Sequence, residues 1–406
     1  MPEISGGDTA WVLVSAALVL LMTPALGFFY GGMVRHKNVV SLILQTFIIV
    51  GVISVSWVLW GYSLAFGPDK WGIIGGLDWV GLRGVGMEAG PYSDTIPHQA
   101  FMIFQAMFAI ITPALIVGAF AERIKFKTLL IFTVLWSTFV YSPIAHWVWG
   151  VGGWLGNYGA LDFAGGTVVH ISSGVAARAA IWGMRKRLGF GRDAMEPHNV
   201  PFIVLGAALL WFGWFGFNAG SSLAADGLAA NAFVVTNTAA AMGALTWMTM
   251  TWCLGGRPSA VGAASGAVAG LVAITPAAGF VGPVSAILIG LGAGAFCYLA
   301  CRLRAKLKLD DSLDVWGVHG VGGTWGAIAT GLFATAAIGG TDGLFYGNTS
   351  QLWTQLAAVG VTWAFSFTMT IIILKVLDWT VGLTVNEEEE NRGLDLSQHG
   401  EAGYRL

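Results

Sequence analysis

Two histidines lie inside long apolar stretches of this sequence, where an isolated imidazole is costly. His170 ends the segment DFAGGTVVH, and His319 lies in DVWGVHG. A polar side chain in such a stretch normally faces the interior of a helix bundle and marks a path for a substrate or for protons. The alternative is a histidine that only hydrogen-bonds a neighbouring helix. Because each stretch opens near an aspartate, Asp162 or Asp314, the repetition favours the path.

A second group of candidate residues combines aromatic rings with one hydroxyl. Trp214, Phe217 and Ser221 are separated by three and four residues, which places them on one face of a helix. The remaining candidates are Phe104 and Phe108, which share such a face, and Trp149, which ends the segment AHWVW. Aromatic faces attract a small cation by about 0.5–2 kcal/mol, more where water is excluded. The pattern predicts a cation site at a pore mouth, with ordinary core or lipid-facing rings as the alternative.

The sequence contains no motif for metal binding, disulfide bonds, nucleotide binding or hydrolysis. Cys253, Cys297 and Cys301 lie in apolar runs without the spacing of a zinc site or a disulfide framework. The segment GVGGTWG follows no strand, so it does not fit a phosphate-binding loop, and no Walker A, GxSxG or HExxH motif occurs. We therefore expect a protein that is not an enzyme or an ATP-driven pump, and that holds no metal or other cofactor.

The composition is that of an integral membrane protein. Hydrophobic residues make up 56% of the 406 residues and charged residues only 10%, whereas soluble domains carry about 25% charged residues. The formal net charge of −2 gives no reason to expect nucleic acid as a partner. Glycine is abundant, with 58 residues, as is typical of closely packed membrane helices.

Hydropathy predicts an all-α membrane protein, because the apolar runs are long and continuous rather than alternating. The eleven predicted transmembrane helices are residues 9–32, 41–66, 97–121, 128–149, 163–184, 199–220, 229–254, 259–279, 282–303, 314–336 and 351–381.

The orientation follows from lysine and arginine. Alternate connections are rich in these residues, for example around 185–192 and 302–308, while the opposite connections hold only Lys70 and Arg83. Basic connections face the cytoplasm. The N-terminus is therefore predicted outside, and the polar tail of residues 385–406 inside.

The first ten predicted helices form two halves, about 9–184 and 199–336, each with a Thr-Pro pair in its third helix and a histidine in its fifth. Halves of five helices have opposite orientations, which is the inverted-repeat plan of many transporters. With the eleventh helix, at about 351–381, they form one predicted transmembrane domain, residues 1–384, followed by the cytoplasmic tail of residues 385–406.

Several motifs resemble those of the ammonium transporter family, which includes the Amt, Mep and Rh proteins. They are GAFAERIKF, DFAGGTVVHISSG, GWFGFNAGSS, SGAVAGLVAITPAAGFV, DVWGVHGVGG and the tail motif GLDLSQHGEAGY. The resemblance covers nearly the whole chain and favours a prokaryotic Amt-type transporter. It implies eleven helices with an external N-terminus, a homotrimer with one pore per subunit, and a place in the lipid of the cytoplasmic (inner) membrane.

The resemblance also implies a role for each candidate residue. Trp149, Phe108 and Ser221 correspond to an outer recruitment site for ammonium, and Phe108 with Phe217 to the gate beneath it. His170 and His319 correspond to paired pore histidines that relay protons. The supporting residues are Asp162 as a buried carboxylate, Trp214 and Thr275 as pore-wall residues, and, from the residue pattern alone, Phe104 and Asp314.

Three functions are compatible with this reading. The first is transport of ammonium, and of methylammonium as a further candidate, with deprotonation before passage. The second is an ammonium sensor, which we expect to continue into a signalling domain, whereas this sequence continues only into a short tail. The third is a channel for neutral gases, for which a cation site has no use. The tail is predicted to help couple subunits and to dock a PII-type regulator such as GlnK.

Overall fold

The computed structural model describes residues 3–404 of the chain, and helices dominate the part described. The helices are α1 Gly6–Met33, α2 Val39–Ser56, α3 Tyr62–Phe66, α4 His98–Phe120, α5 Phe126–Trp136, α6 Ser142–Trp149, α7 Trp154–Asn157, α8 Ser172–Gly183, α9 Val200–Ala219, α10 Gly227–Gly255, α11 Ala260–Ile274, α12 Pro283–Lys306, α13 Val321–Phe333, α14 Ala336–Gly339, α15 Thr349–Thr380 and α16 Glu387–Arg392.

Several of these helices continue into one another through π-helical turns, in which the hydrogen bonds reach one residue further than in an α-helix. Trp57–Gly61 joins α2 to α3, and Ser137–Tyr141 joins α5 to α6. Gly166–Ile171 opens α8, and Trp316–Gly320 opens α13. The last two turns contain the two histidines predicted to line a pore.

Two small hairpins occupy the connection between α3 and α4. The strands β1 Asp69–Lys70 and β2 Ile74–Gly75 pair antiparallel, and so do β3 Ala89–Gly90 and β4 Ser93–Pro97. The hairpins lie beside the end of α6, where Trp154 N–H donates to the carbonyl of Gly72 and Val151 N–H donates to the Tyr92 hydroxyl. They thus support the chain that follows Trp149.

Among residues 3–404, eight helical stretches are long and apolar enough to cross a membrane. They are Gly6–Met33, His36–Phe66, His98–Phe120, Phe126–Asn157, Val200–Ser222, Gly227–Gly255, Pro283–Lys306 and Thr349–Thr380. The prediction of a mainly helical, multi-pass membrane protein is therefore confirmed. The count of eleven crossings and the orientation stay predictions, because length and composition identify only these eight.

The helices pack through small residues. A Cβ atom at Gly213 of α9 would lie 2.3 Å from Met22 Cγ of α1, and one at Gly270 of α11 would lie 2.2 Å from the Ala239 carbonyl oxygen of α10. Larger side chains at these two positions would force the helix axes apart. Close approach of this kind brings distant parts of the chain together around the path described next.

Candidate functional site

The two histidines meet at the centre of the fold. The Nδ1 atoms of His170 and His319 are 3.3 Å apart, and both side chains are buried. The helices that carry them touch at Gly174 and Gly320, where a Cβ atom on Gly174 would lie 2.1 Å from the Gly320 backbone nitrogen. Because only glycine permits this approach, the backbone itself determines the spacing of the imidazoles.

The pair suits the exchange of a single proton. A neutral imidazole has one N–H donor and one acceptor nitrogen, so two facing Nδ1 atoms share one hydrogen between them. Two imidazolium rings at this distance would repel each other strongly where water is scarce. His170 Nε2 is buried and has no hydrogen-bond partner among the described residues, so it is free to contact a small polar molecule.

Aromatic rings continue from the histidines towards one end of the fold. The ring of His170 stacks on Trp214 at a centroid distance of 5.4 Å and lies 6.0 Å from Phe217. Phe217 in turn lies 4.4 Å from Phe108, and both phenyl rings are buried. The result is a column of buried rings that ends at the histidine pair.

Two of the predicted supporting residues hold this column in place. Trp214 Nε1 donates to Thr275 Oγ1 at 2.9 Å, which fixes the indole against the imidazole of His170. Phe104 packs edge-on against Phe108, with ring centroids 5.0 Å apart. The sequence placed Phe104 beside Phe108 correctly, although Phe104 does not line the outer cavity.

Above the column lies a cavity of about 310 Å³, which we call the outer cavity. Its walls are formed by Tyr92, Phe101, Gln105, Phe108, Val148, Trp149, Phe163, Ser221 and Leu223. Three predicted site residues, Trp149, Phe108 and Ser221, therefore share one cavity although they come from three different helical segments. Trp149 and Phe108 meet edge to face at 5.8 Å, the geometry preferred by aromatic pairs.

The polar atoms of these residues have defined partners. Trp149 Nε1 donates to the Asp162 carbonyl oxygen at 2.9 Å, and Ser221 Oγ donates to the Phe217 carbonyl oxygen at 2.9 Å. The Ser221 oxygen keeps its lone pairs free to accept a hydrogen bond. The cavity thus offers two ring faces and an oxygen, a set that suits a small cation bearing N–H groups.

Asp162 shapes the helix that carries His170. Its carboxylate accepts hydrogen bonds from the backbone N–H groups of Gly165, Gly166 and Thr167 and from the Thr167 hydroxyl. Backbone N–H groups at a helix start have no partner within the helix, so a buried carboxylate there stabilises the turn that presents His170. The same residue, through its carbonyl, orients Trp149.

Asp314 does not take the matching position before His319. It forms an ion pair of 2.8 Å with Arg304, is partly exposed, and has a positive φ of 57°. The matching residue is Asp311, which is fully buried and accepts a hydrogen bond from Trp316 N–H at 2.8 Å. The signal was present in the sequence, because Asp162 precedes His170, and Asp311 precedes His319, by the same eight residues.

A buried charge network at the opposite end of the fold was not predicted. Glu122, in the motif GAFAERIKF, pairs with Arg187 at 3.0 Å, and Arg187 pairs with Asp310 at 2.7 Å. Arg123 also pairs with Asp310. Burial favours the neutral form of Glu122, but Arg187 and Arg35 more than offset it, so the pKa of Glu122 lies below its ordinary value. Removing one member of this network would leave an excess of buried charge of one sign, which is strongly destabilising.

The tail of the chain packs against the rest of the protein. Ser41 N–H donates to Asp395 Oδ1 and Leu394 N–H donates to Asn38 Oδ1, both at 2.8 Å. Arg185 forms an ion pair of 2.6 Å with Glu390 of α16. These contacts link the tail to the start of α2 and to the loop that contains Arg187.

Within residues 3–404, no group of three or more histidine, cysteine, aspartate or glutamate residues is arranged to hold a metal ion. The three cysteines are not bonded to one another. Gln105 also lines the outer cavity.

Comparisons with known proteins agree along the whole chain. The model of the Ammonium Transporter Family matches residues 10–404. An ammonium transporter of Bacillus subtilis is 54% identical over 404 residues, with 98% of each chain covered. The ammonium transporter Amt1 of Archaeoglobus fulgidus is 52% identical over 401 residues, covering 99% of this chain and 100% of the relative. The crystal structure of Saccharomyces cerevisiae Mep2 is similar with a TM-score of 0.89 at 38% identity, covering 95% of this chain and 88% of the other.

Proposed function

Because this chain belongs to the ammonium transporter family, we propose that it moves ammonium across a membrane along the path from the outer cavity to the histidine pair. The observation that carries the proposal is the continuous series of ring contacts that runs through Trp149, Phe108, Phe217, His170 and His319. The family is one of transporters rather than enzymes, and its substrate is ammonium or ammonia.

In the first step, the outer cavity recruits the ammonium cation. The faces of Trp149 and Phe108 attract the positive charge, and the Ser221 oxygen accepts a hydrogen bond from one N–H group of the cation. The orientation of the Trp149 indole is fixed by the hydrogen bond from its N–H group to the Asp162 carbonyl oxygen. The cation therefore meets a fixed site, so little entropy is lost in arranging the protein. Methylammonium, which keeps a positive charge and N–H donors, is a further candidate substrate.

In the second step, ammonium gives up its proton at the top of the ring column, and the acceptor of this proton is Nε2 of His170, the buried ring nitrogen without a partner among the described residues. Phe108 and Phe217 form a dry gate, and moving a charged ion through such a gate costs several kcal/mol even after the surroundings relax. Neutral ammonia carries no such penalty. It then hydrogen-bonds along the imidazoles, for which the unpartnered Nε2 of His170 is suited.

The released proton follows a separate path through the histidine pair. The Nδ1 atoms of His170 and His319 are close enough for one ring to donate as the other accepts. Ammonia and the proton recombine on the far side, so one positive charge crosses for each ammonium. Transport is therefore electrogenic in this scheme.

The remaining predictions are part of the same proposal. The shorter helical segments around His170, around His319 and at Ala260–Ile274 complete eleven crossings, with the N-terminus outside. Residues 1–384 form one transmembrane domain of two inverted halves plus the eleventh helix. Three copies assemble into a homotrimer in the lipid of the cytoplasmic membrane, and the tail of residues 385–406 docks a PII-type regulator such as GlnK.

Neither alternative has comparable support. The relatives from Bacillus subtilis and Archaeoglobus fulgidus, which are 54% and 52% identical to this chain, are both named as ammonium transporters. A channel for neutral gases has no use for the ring faces of Trp149 and Phe108 in a cavity outside the gate.

Current recording on the reconstituted protein tests the proposal. Purified protein in liposomes on a solid support is exposed to sudden jumps of ammonium chloride, potassium chloride or sodium chloride at constant ionic strength. We expect a saturable inward positive current for ammonium alone. Equal currents for potassium, or no current above that of empty liposomes while ammonium uptake is also absent, would contradict transport.

A further inference from the structure

Gln105 lines the outer cavity with no partner for its amide oxygen. It lies on α4 between Phe101 and Phe108, at spacings of four and three residues that place all three on one helix face. Its side chain is only 8% exposed. The oxygen Oε1 is buried and accepts no hydrogen bond from any residue that the structure describes. Leaving such an oxygen unpaired costs about 1–3 kcal/mol, so a hydrogen-bond donor that reaches it stabilises the protein.

The other polar side chains of the cavity wall use their hydrogens within the protein. Tyr92 donates its hydroxyl to the Phe66 carbonyl at 2.6 Å. Trp149 and Ser221 donate to the carbonyls described above. None of these groups has a hydrogen left for Gln105. A molecule that enters the cavity, either water or a cation bearing N–H groups, therefore supplies the hydrogen for the amide oxygen.

We propose that Gln105 is a further substrate-binding and specificity-determining residue, whose amide oxygen accepts a hydrogen bond from a cation bearing N–H groups in the outer cavity. The inference rests on the proposed function and adds a residue to it. The terminal torsion of a glutamine side chain is broad and roughly two-fold, so the amide turns its oxygen towards a ligand at little cost.

The geometry of the ligand gives the amide a role in specificity. Ammonium has four N–H bonds in tetrahedral directions, so two bonds point to the rings of Trp149 and Phe108 while two others meet the oxygens of Ser221 and Gln105. Potassium has the same charge but needs a full shell of oxygen atoms in place of its water. Two oxygens do not provide that shell. Methylammonium has three N–H bonds and gains less from the second oxygen.

The test compares three variants by the ammonium concentration that gives half of the maximal current. Gln105→Met keeps the length of the side chain and removes the amide. Gln105→Glu keeps an acceptor oxygen and adds a negative charge. Gln99→Met is the matched control, because Gln99 lies on the same helix, is exposed, and has its amide bonded to the Val85 carbonyl.

We expect Gln105→Met to raise the half-saturating concentration about 10-fold or more, since a hydrogen bond to a charged group is lost, with the maximal current changed less than twofold. The ratio of half-saturation for methylammonium to that for ammonium should fall. Gln99→Met should have the same half-saturating concentration as the parent, and Gln105→Glu should have the same or a lower one.

If the parent conducts ammonium and Gln105→Met has an unchanged half-saturating concentration, the inference is overturned. If Gln105→Met does not fold, a Gln105→Glu variant with half-saturation raised 10-fold overturns it instead. A parent without an ammonium current contradicts the proposed function itself.

Discussion

Trp149 presents its ring to the outer cavity in an orientation set from two sides. The indole N–H is bonded to the Asp162 carbonyl, and the ring meets Phe108 edge to face. Asp162 also caps the turn that carries His170. One aspartate thus positions both the ring of Trp149 and the imidazole of His170, to which our proposal assigns the cation and the neutral molecule.

Replacing Trp149 with leucine should weaken capture of the cation. Leucine keeps the surroundings apolar but has no ring face, so about 0.5–2 kcal/mol of attraction is lost. The half-saturating ammonium concentration should rise about 2- to 30-fold, and the preference for ammonium over sodium should fall. Trp379→Leu is the control, because Trp379 is 88% exposed at the end of α15. Equal half-saturation in the Trp149 variant and the parent would remove this ring from the site.

Single site residues could be predicted from the sequence where their polarity differs clearly from that of their neighbours. His170 and His319 stand out, because each is the polar residue of a small-residue apolar segment. Gln105 was missed, because a lone glutamine among phenylalanines gives no sign of whether its amide is paired. Asp311 was passed over for Asp314, although its spacing of eight residues before His319 matches that of Asp162 before His170; the burial of Asp311 is visible only in the folded loop.

At the scale of helices, the predicted spans agree closely with the structure where apolar runs are long. The run 9–32 corresponds to Gly6–Met33, and 229–254 to Gly227–Gly255. The run 259–279 was too long, because the helix ends at Ile274, just before Thr275 and Pro276, and the chain turns there. Hydropathy does not distinguish a helix from an apolar turn that is buried inside the bundle.

The π-helical turns that carry the histidines could not be predicted. The spacing of apolar residues does not distinguish a π-helical hydrogen bond, which joins residues five apart, from an α-helical one, which joins residues four apart. Both turns begin where an aspartate accepts backbone N–H groups. The wider turn changes the direction of the following side chains, and such turns are frequent at functional sites. The matching construction at His170 and His319 brings the two rings face to face.

Asp311 should make the stability of the protein depend on pH. Burial, followed by the charge of Asp314, raises the pKa of Asp311 to about 6 from an ordinary value of 3.8. The folded state therefore holds a proton that the unfolded state releases between these values, so stability falls as pH rises from about 4 to 6 and stays lower above. Ionising the buried Asp311 costs the folded state about 3 kcal/mol at most, and asparagine at this position avoids the cost because it carries no charge.

Thermal unfolding of the detergent-solubilised protein, followed by tryptophan fluorescence, measures the effect. The unfolding temperature of Asp311→Asn relative to the parent should rise by about 1–3 °C between pH 5 and pH 7, because the free-energy difference grows by about 1.3 kcal/mol over this range. Asp378→Asn, a change at an exposed aspartate at the end of α15, should show no such trend. A constant difference between the Asp311 variant and the parent at all pH values would show that this carboxyl is ionised throughout.

At the scale of the whole molecule, different kinds of contact stabilise the two ends of the proposed path. Rings and hairpins surround the outer cavity, whereas paired charges and the tail surround the opposite end. The sequence predicted a polar tail, but not its place, because the hydrogen bonds from Ser41 and from Leu394 join parts of the chain more than 350 residues apart.

Deleting residues 385–406 should lower ammonium transport at equal amounts of protein in the membrane. The deletion removes Glu390, the partner of Arg185, and Asp395, which accepts from the start of α2. Binding of a purified PII-type regulator should weaken as well. Glu388→Gln, which changes only an exposed side chain of the tail, should behave as the parent. Full transport and full regulator binding by the truncated chain would exclude both roles.

The histidine pair carries the central claim, that ammonia and its proton cross separately. Replacing both His170 and His319 with leucine keeps the lining apolar and of similar size but removes every ring nitrogen. We expect the ammonium-evoked current of the reconstituted double variant to disappear, although it folds and inserts as the parent does. A current of normal size that remains selective for ammonium over potassium would contradict the proton relay.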